Sequence, residues 1–265
     1  LWGASGLSLG QAHLEDRQFK EADIVFTALA KERGANAGVA LWHSRVFKRQ
    51  KNYAGAAAIL VPAVKQFRDD AMIEKLLFDL AENLFGDQQY TESATVFERL
   101  LKEHPKHGQR ELILRLSVQA RFYTGRYAVG LALCAEYLED FRKHPKASSV
   151  VFLQGESELF LEKYDDAVST FEQFLKEYPD DAQARAAQMH VGECHFFGKQ
   201  WKAALAAFEN LAGKKLEGRV FQQYDFIVGS CQYQLKDWEQ AVVSYRLFTS
   251  RFPKAQNADT ALMNT

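Results

Sequence analysis

Cysteine is scarce: three in 265 residues cannot build a disulfide framework. Proline and glycine are few, at 5 and 16, which excludes a chain dominated by turns or low complexity. No apolar run approaches the roughly 18 residues needed to cross a bilayer. Neither sign of charge dominates. With 33 Lys and Arg against 34 Asp and Glu, the net charge is −1, and no global basic field exists for nucleic acid or an anionic membrane. Phosphate-binding glycine loops, nucleophile elbows and HExxH motifs are absent. The remaining composition, 47% apolar and 25% charged, is that of a globular protein, and the length alone would allow one or two domains.

What the sequence has is a repeat. An aromatic is followed three residues later by a small residue and, four after that, usually by a large apolar one. The copies are Phe19, Ala22, Phe26; Tyr53, Ala56, Leu60; Tyr90, Ser93, Phe97; Tyr127, Gly130, Cys134; Tyr164, Ala167, Phe171; Trp201, Ala204, Phe208; and Trp238, Ala241, Tyr245. The aromatics are spaced by 34 and then by 37 five times over. Nine residues before each aromatic stand Gly10, Ser44, Ala81, Val118, Gly155, Gly192 and Gly229, six of them small. Ten after stand Leu29, Ala63, Leu100, Tyr137, Phe174, Leu211 and Phe248, all apolar. Pro105, Pro179 and Pro253 follow fifteen after, and Pro145 stands in for them in the fourth copy.

Offsets of 0, 3, 7 and 10 share one face of a helix. Each copy therefore predicts two helices, such as Ser148 to Leu161 and Asp165 to Glu177, separated by a break at Glu162 and Lys163. In the fourth copy the break contains Gly125. Pro after the second helix stops it. Small residues on both helices predict a close crossing, with the first aromatic filling the space beside it. The fold class expected is all-α: a solenoid of antiparallel hairpins, each burying its faces only by stacking on its neighbours. The expected repeats are 3–36, 37–73, 74–110, 111–147, 148–184, 185–221 and 222–258, with 259–265 opening an eighth. That unfinished repeat, and a chain that begins at Leu1, lead to the expectation of a segment cut from a longer array.

The set Gly155, Tyr164, Ala167, Phe171 and Pro179 resembles the tetratricopeptide repeat, as does Gly229, Trp238, Ala241, Tyr245 and Pro253. The period departs from the family's usual 34, Val118 and Cys134 make the fourth copy atypical, and the second and sixth copies lack the terminal Pro. The resemblance implies an α-α superhelix whose concave face, lined by the first helices, binds peptides or protein segments. The 37-residue variant, with Phe174 to Pro179 and Gly192 to Phe196, is similar to the bacterial envelope branch. That branch includes outer-membrane-assembly lipoproteins and the periplasmic coordinator of the Tol-Pal system. A periplasmic or envelope location is therefore expected, with the cytoplasm left open by related repeats there.

Chemistry has few candidates. His190, Glu193, Cys194 and His195 alone hint at metal-ligand spacing, but zinc requires three or four ligands in a closed set. Cys194 has a repeat-phase twin in Cys231, and both occupy slots for small buried residues. Equivalent positions on stacked hairpins lie a helix-packing distance apart, about 8–10 Å, beyond the reach of a disulfide, so free thiols are expected. Asp69–Asp70, Asp165–Asp166 and Asp180–Asp181 read as helix caps and dipole partners. No cofactor is expected.

The positions expected to face a partner lie twelve, eight, five and four residues before each aromatic. They supply Phe78, Phe152, Met189 and Phe226 at minus twelve. Arg45, Glu156 and Glu193 stand at minus eight, Tyr233 at minus five, and Arg49, Phe160 and Phe197 at minus four. Phe152, Phe226 and Tyr233 are the expected anchors. The competing reading is packing between adjacent helices, strongest for the minus-five set. Residues 37–73 carry six basic and two acidic residues, and 148–184 carry nine acidic and two basic. Arg45, Lys48 and Arg49 could receive an acidic peptide or a C-terminal carboxylate, or form a solvated helix face. The family's clamp for a chaperone tail uses Lys and Asn at minus twelve and minus eight. Neither stands there, which argues against that subtype.

The function expected is a non-enzymatic scaffold that binds a protein or peptide, with no nucleic acid and no membrane insertion by this segment. A structural spacer or oligomerisation segment of a larger envelope protein is the alternative. A metal-dependent enzyme ranks last.

Overall fold

The computed structural model describes residues 2–32, 36–209 and 219–254. Leu211 and the expected eighth repeat at 259–265 lie outside the described residues. Among the described residues every regular element is a helix. In chain order they are α1 (Trp2–Glu15), α2 (Phe19–Glu32), α3 (Ala37–Arg49), α4 (Tyr53–Gln66), α5 (Ile73–Gly86), α6 (Tyr90–Glu103) and α7 (Arg110–Tyr123). Then come α8 (Tyr127–Phe141), α9 (Ala147–Phe160), α10 (Tyr164–Glu177), α11 (Ala184–Phe197), α12 (Trp201–Glu209), α13 (Arg219–Gln234) and α14 (Trp238–Arg251). From α1 to α7 and from α9 to α14, consecutive helices pack on one another, and α3 also meets α5, as α9 meets α11. The chain forms two compact units, Leu1–Asp140 and Phe141–Thr265. The fold is all-α.

Each repeat aromatic opens the second helix of its hairpin. The residues three and seven after it face inward without exception. Ala22, Ala56, Ser93, Gly130, Ala167, Ala204 and Ala241 are buried, as are Phe26, Leu60, Phe97, Cys134, Phe171, Phe208 and Tyr245. Ser93 needs a partner for its hydroxyl there, and donates to the Ala81 carbonyl across the hairpin at 2.8 Å. The first aromatic itself is not the plug expected beside the crossing. A Cβ on Gly155 would stand 2.8 Å from the Phe171 ring, and one on Gly192 2.6 Å from the Phe208 ring. The small residue therefore makes room for the ring seven positions after the aromatic. The first aromatic sits at the mouth of the hairpin, and Trp238 is 52% exposed there. The reason is geometric: the opening residue of the second helix lies beside the turn, whereas the next two turns of helix lie over the crossing.

The hairpin turns share one conformation. Arg17, Lys51, Gln88, Gly125, Glu162, Lys199 and Lys236 all have φ between 58° and 67°. Each lies two residues before an aromatic. In every case the following N–H reaches back five residues, as from Lys163 to the Glu158 carbonyl at 2.9 Å. The positive-φ residue's own N–H reaches back three, as from Glu162 to Leu159 at 3.0 Å. Both bonds define a Schellman ending, which satisfies the last carbonyls of the first helix. Only Gly125 adopts this left-handed conformation without penalty. No neighbour lies within 4 Å of a Cβ placed there. Gly125→Ala should therefore lower stability by about 1–2 kcal/mol through backbone strain alone, visible as a fall in the midpoint of urea unfolding. An unchanged midpoint would show that the turn relaxes at no cost.

Two acidic pairs shape the turns before α5 and α11 and do not cap those helices, neither of which has a side-chain cap bond. The Asp70 and Asp181 carboxylates accept from the Met72 and Gln183 N–H groups, at 2.8 and 2.9 Å. Asp165 and Asp166 lie in the first turn of α10, where negative charge complements the helix dipole. Pro62 lies inside α4 without ending it.

Candidate protein-interaction face

The first helix of each hairpin was expected to turn its minus-twelve side chains outward. The structure buries Phe152 and Met189 and half-buries Phe78 and Phe226. Phe152 is 4% exposed and Met189 3%. Phe152 meets Phe171 and Phe174 edge-on, at 5.7 and 5.6 Å between ring centroids, and touches His190 of the next hairpin at 5.7 Å. Phe78 is half-buried and stacks on His107 at 5.2 Å. Phe226 packs against Tyr245 and Phe248. These residues are hairpin core, because a position above the crossing cannot project past the second helix. Phe152 and Phe226 are thus corrected as free anchors.

Tyr233 is corrected as well. It meets Trp238 edge-on at 5.0 Å. The same contact recurs between Phe85 and Tyr90, Phe122 and Tyr127, and Phe196 and Trp201, at 5.2 to 5.5 Å. The minus-five residue closes the mouth of its own hairpin against the opening aromatic.

What the first helices present instead is a row of partly exposed charged groups, each held by a neighbour. In the unit Leu1–Asp140, Arg45 Nε donates to Asp79 at 2.8 Å, and Lys48 Nζ to Glu82 at 2.7 Å. Both bonds run from α3 to α5. Asp79 is 4% exposed. The Arg45 guanidinium also lies 4.8 Å from the Trp42 ring centroid, a cation–π arrangement. The basic trio is therefore not free for an acidic peptide: Arg45 and Lys48 neutralise the next repeat, and only Arg49 is exposed.

In the unit Phe141–Thr265 the row contains Glu156 on α9, with His190 and Glu193 on α11. His190 Nδ1 is 2.7 Å from Glu193 Oε2, and Nε2 is 3.7 Å from Glu156 Oε1. Phe171 stacks on the same imidazole at 5.0 Å. Burial holds the Glu156 carboxyl above its ordinary range; His190 opposes the shift, and the Glu193 charge adds to it. This triad is what the metal-like spacing becomes. His195 turns to Gln200 at 2.8 Å, and burial drives the Cys194 and Cys231 thiols up to about 12. None of the three cysteines forms a disulfide, and all are buried. Among the described residues no three His, Cys, Asp or Glu groups are placed to hold a metal ion.

At the ends of first helices, Phe160 and Phe197 are 57% and 51% exposed. Of the eleven expected contact residues, Arg45, Arg49, Glu156, Glu193, Phe160 and Phe197 stand on or beside these rows, though Glu193 is nearly covered. The spacing of the charges in neighbouring repeats could have revealed the pairing: Arg45 and Lys48 each precede their partner by 34, one turn short of the repeat.

The tetratricopeptide repeat family matches residues 152–215 in one form and residues 75–107 and 225–255 in another. No curated protein matches the sequence. Among solved structures, a tetratricopeptide repeat protein from Parabacteroides merdae is 14% identical, with 99% of this chain and 98% of that one covered and a TM-score of 0.55. The C-terminal part of a repeat-containing protein from Cytophaga hutchinsonii is 11% identical, with 97% and 99% covered and a TM-score of 0.66. MamA from Desulfovibrio magneticus is 16% identical, with 66% of this chain and 92% of that one covered and a TM-score of 0.53. At such identities the likeness is one of fold. The matched residues 75–107, 152–215 and 225–255 carry tetratricopeptide repeats, set among seven in-phase hairpins of the described residues.

Proposed function

We propose that this chain is a non-catalytic scaffold that binds a protein or peptide segment along the first-helix rows of its hairpins. Tetratricopeptide repeats generally mediate protein–protein interaction. The observation that carries the reading is the fixed arrangement of charges on those rows. Arg45 with Asp79, Lys48 with Glu82, and Glu156 with His190 and Glu193 hold defined positions before any partner arrives. Preorganised groups lose little freedom on binding, and their pattern of sign sets register and selectivity. Apolar anchoring comes from exposed rings and not from Phe152.

The test uses charge variants that spare the core. A partner isolated by affinity capture is titrated calorimetrically against the native chain, Lys48→Glu and Glu156→Lys. At least one variant is expected to weaken binding tenfold or more while leaving the helical circular dichroism unchanged. Equal affinity for all three proteins would overturn the assignment of these rows.

A further inference from the structure

A second surface lies at the mouth of the hairpins in the unit Phe141–Thr265. Tyr164, which opens α10, stacks on Phe197 at the end of α11, with centroids 6.1 Å apart and planes at 25°. Phe197 is half exposed, and Phe160 holds the equivalent place one repeat earlier. Two large rings in adjacent repeats are thus open to water. At Tyr164 lies an open cleft of about 350 Å³, lined also by Glu162, Lys163, Asp165, Asp166, Gly198 and Gln200. Three carboxylates thus face one lysine. Asp165 accepts from Gln200 at 3.0 Å. Glu162 and Asp166 have no ion-pair partner among the described residues. Elsewhere in this unit, Glu177 is paired with Arg142 and Asp225 with Arg251.

We infer that this mouth docks a basic, arginine-containing peptide segment, with a guanidinium laid on the Tyr164–Phe197 stack and bound by the carboxylates of Glu162 and Asp166. Planar guanidinium stacks on aromatic faces and donates in a fork that matches carboxylates, which ammonium cannot do. The inference rests on the scaffold reading and names a partner chemistry for it. It adds a contact at the turn edge to those on the charge rows.

Fluorescein-labelled octapeptides of alternating Gly-Arg, Gly-Lys and Gly-Glu are titrated with the intact chain at physiological salt, and anisotropy is read. Gly-Arg is expected to bind saturably and more tightly than Gly-Lys, while Gly-Glu does not bind. Phe197→Ala and Asp166→Asn should each weaken Gly-Arg at least fivefold. Both side chains are exposed, so the fold should hold, with the unfolding midpoint of Asp166→Asn falling only slightly as α10 loses a favourable charge in its first turn. Absence of saturable Gly-Arg binding overturns the proposal, as does equal affinity in both variants. Loss of binding in Glu156→Lys with none in the mouth variants would transfer the contact to the charge row, leaving the scaffold reading standing and this one refuted.

Discussion

Phe171→Ala is expected to destabilise the unit Phe141–Thr265 by about 3–5 kcal/mol. The ring is fully buried. It fills the space opposite Gly155 on α9 and stacks on His190 of α11, so it bridges two hairpins. Removing it leaves a cavity that Gly155 has no side chain to fill. In repeat arrays stability is the sum of each repeat and its contacts with neighbours, and this single ring contributes to both. The complementary change adds bulk from the other side. A Cβ on Gly155 already falls 2.8 Å from the ring, so Gly155→Leu alone should overpack the crossing and cost about 1–3 kcal/mol. Combined, the two should cost less than their sum, because leucine occupies part of the vacated space. Urea unfolding of the four proteins measures the coupling. Additive costs would show that the two residues do not share the crossing.

Pro62→Ala should act in the opposite direction and raise stability by about 2–3 kcal/mol. Pro62 is exposed in the interior of α4. It has no N–H to donate to the Ala58 carbonyl, and its ring crowds that carbonyl. Alanine restores the bond and loses little buried surface. The unfolded chain gains freedom when proline is removed, which offsets part of the benefit. The expected signature is a higher urea midpoint with the same slope. A lower midpoint would mean that the local bend at Pro62 is needed for α4 to seat against α3 and α5.

Pro62 also marks where the sequence stops being legible. The repeat phase located every hairpin, because buried positions at offsets 3, 7 and 10 follow from helical periodicity and recur with the period. Helix ends fell within a residue in the fifth copy, where α9 and α10 each begin one residue before the expected start. Proline in the ninth position after the aromatic carried no such signal, since tertiary contacts on both sides keep the helix intact. The turns were equally hidden. Arg17, Lys51, Gln88, Glu162, Lys199 and Lys236 share long, unbranched polar side chains but none is the glycine or asparagine that marks such a turn, yet all adopt one left-handed conformation. Hairpin closure imposes it, not side-chain preference.

The expected contact face was half legible for a related reason. Helical offsets show which side chains share a stripe, but not whether the stripe looks out or down onto the second helix. Phe152 and Met189 share the stripe with exposed groups and look down. Arg45 lies one turn further along and looks outward, but a carboxylate from the next repeat had already met it. Periodicity reports the repeat to itself. The partner of Arg45 belongs to a difference between repeats, where the period is silent.

That difference gives the array a grammar. In the fourth repeat, the positions equivalent to Asp79 and Glu82 are Leu116 and Gln119. Were residues 74–110 lost by an in-phase deletion, the backbone would rejoin in register, but Arg45 would then face leucine and Lys48 glutamine. Two cations would lose their counter-charges although every hairpin kept its aromatic and small residues. Repeats of this chain are therefore addressed to particular neighbours. The 37-residue unit can be copied as a shape, but the cations of the second repeat are met by carboxylates that the fourth does not carry at the same places.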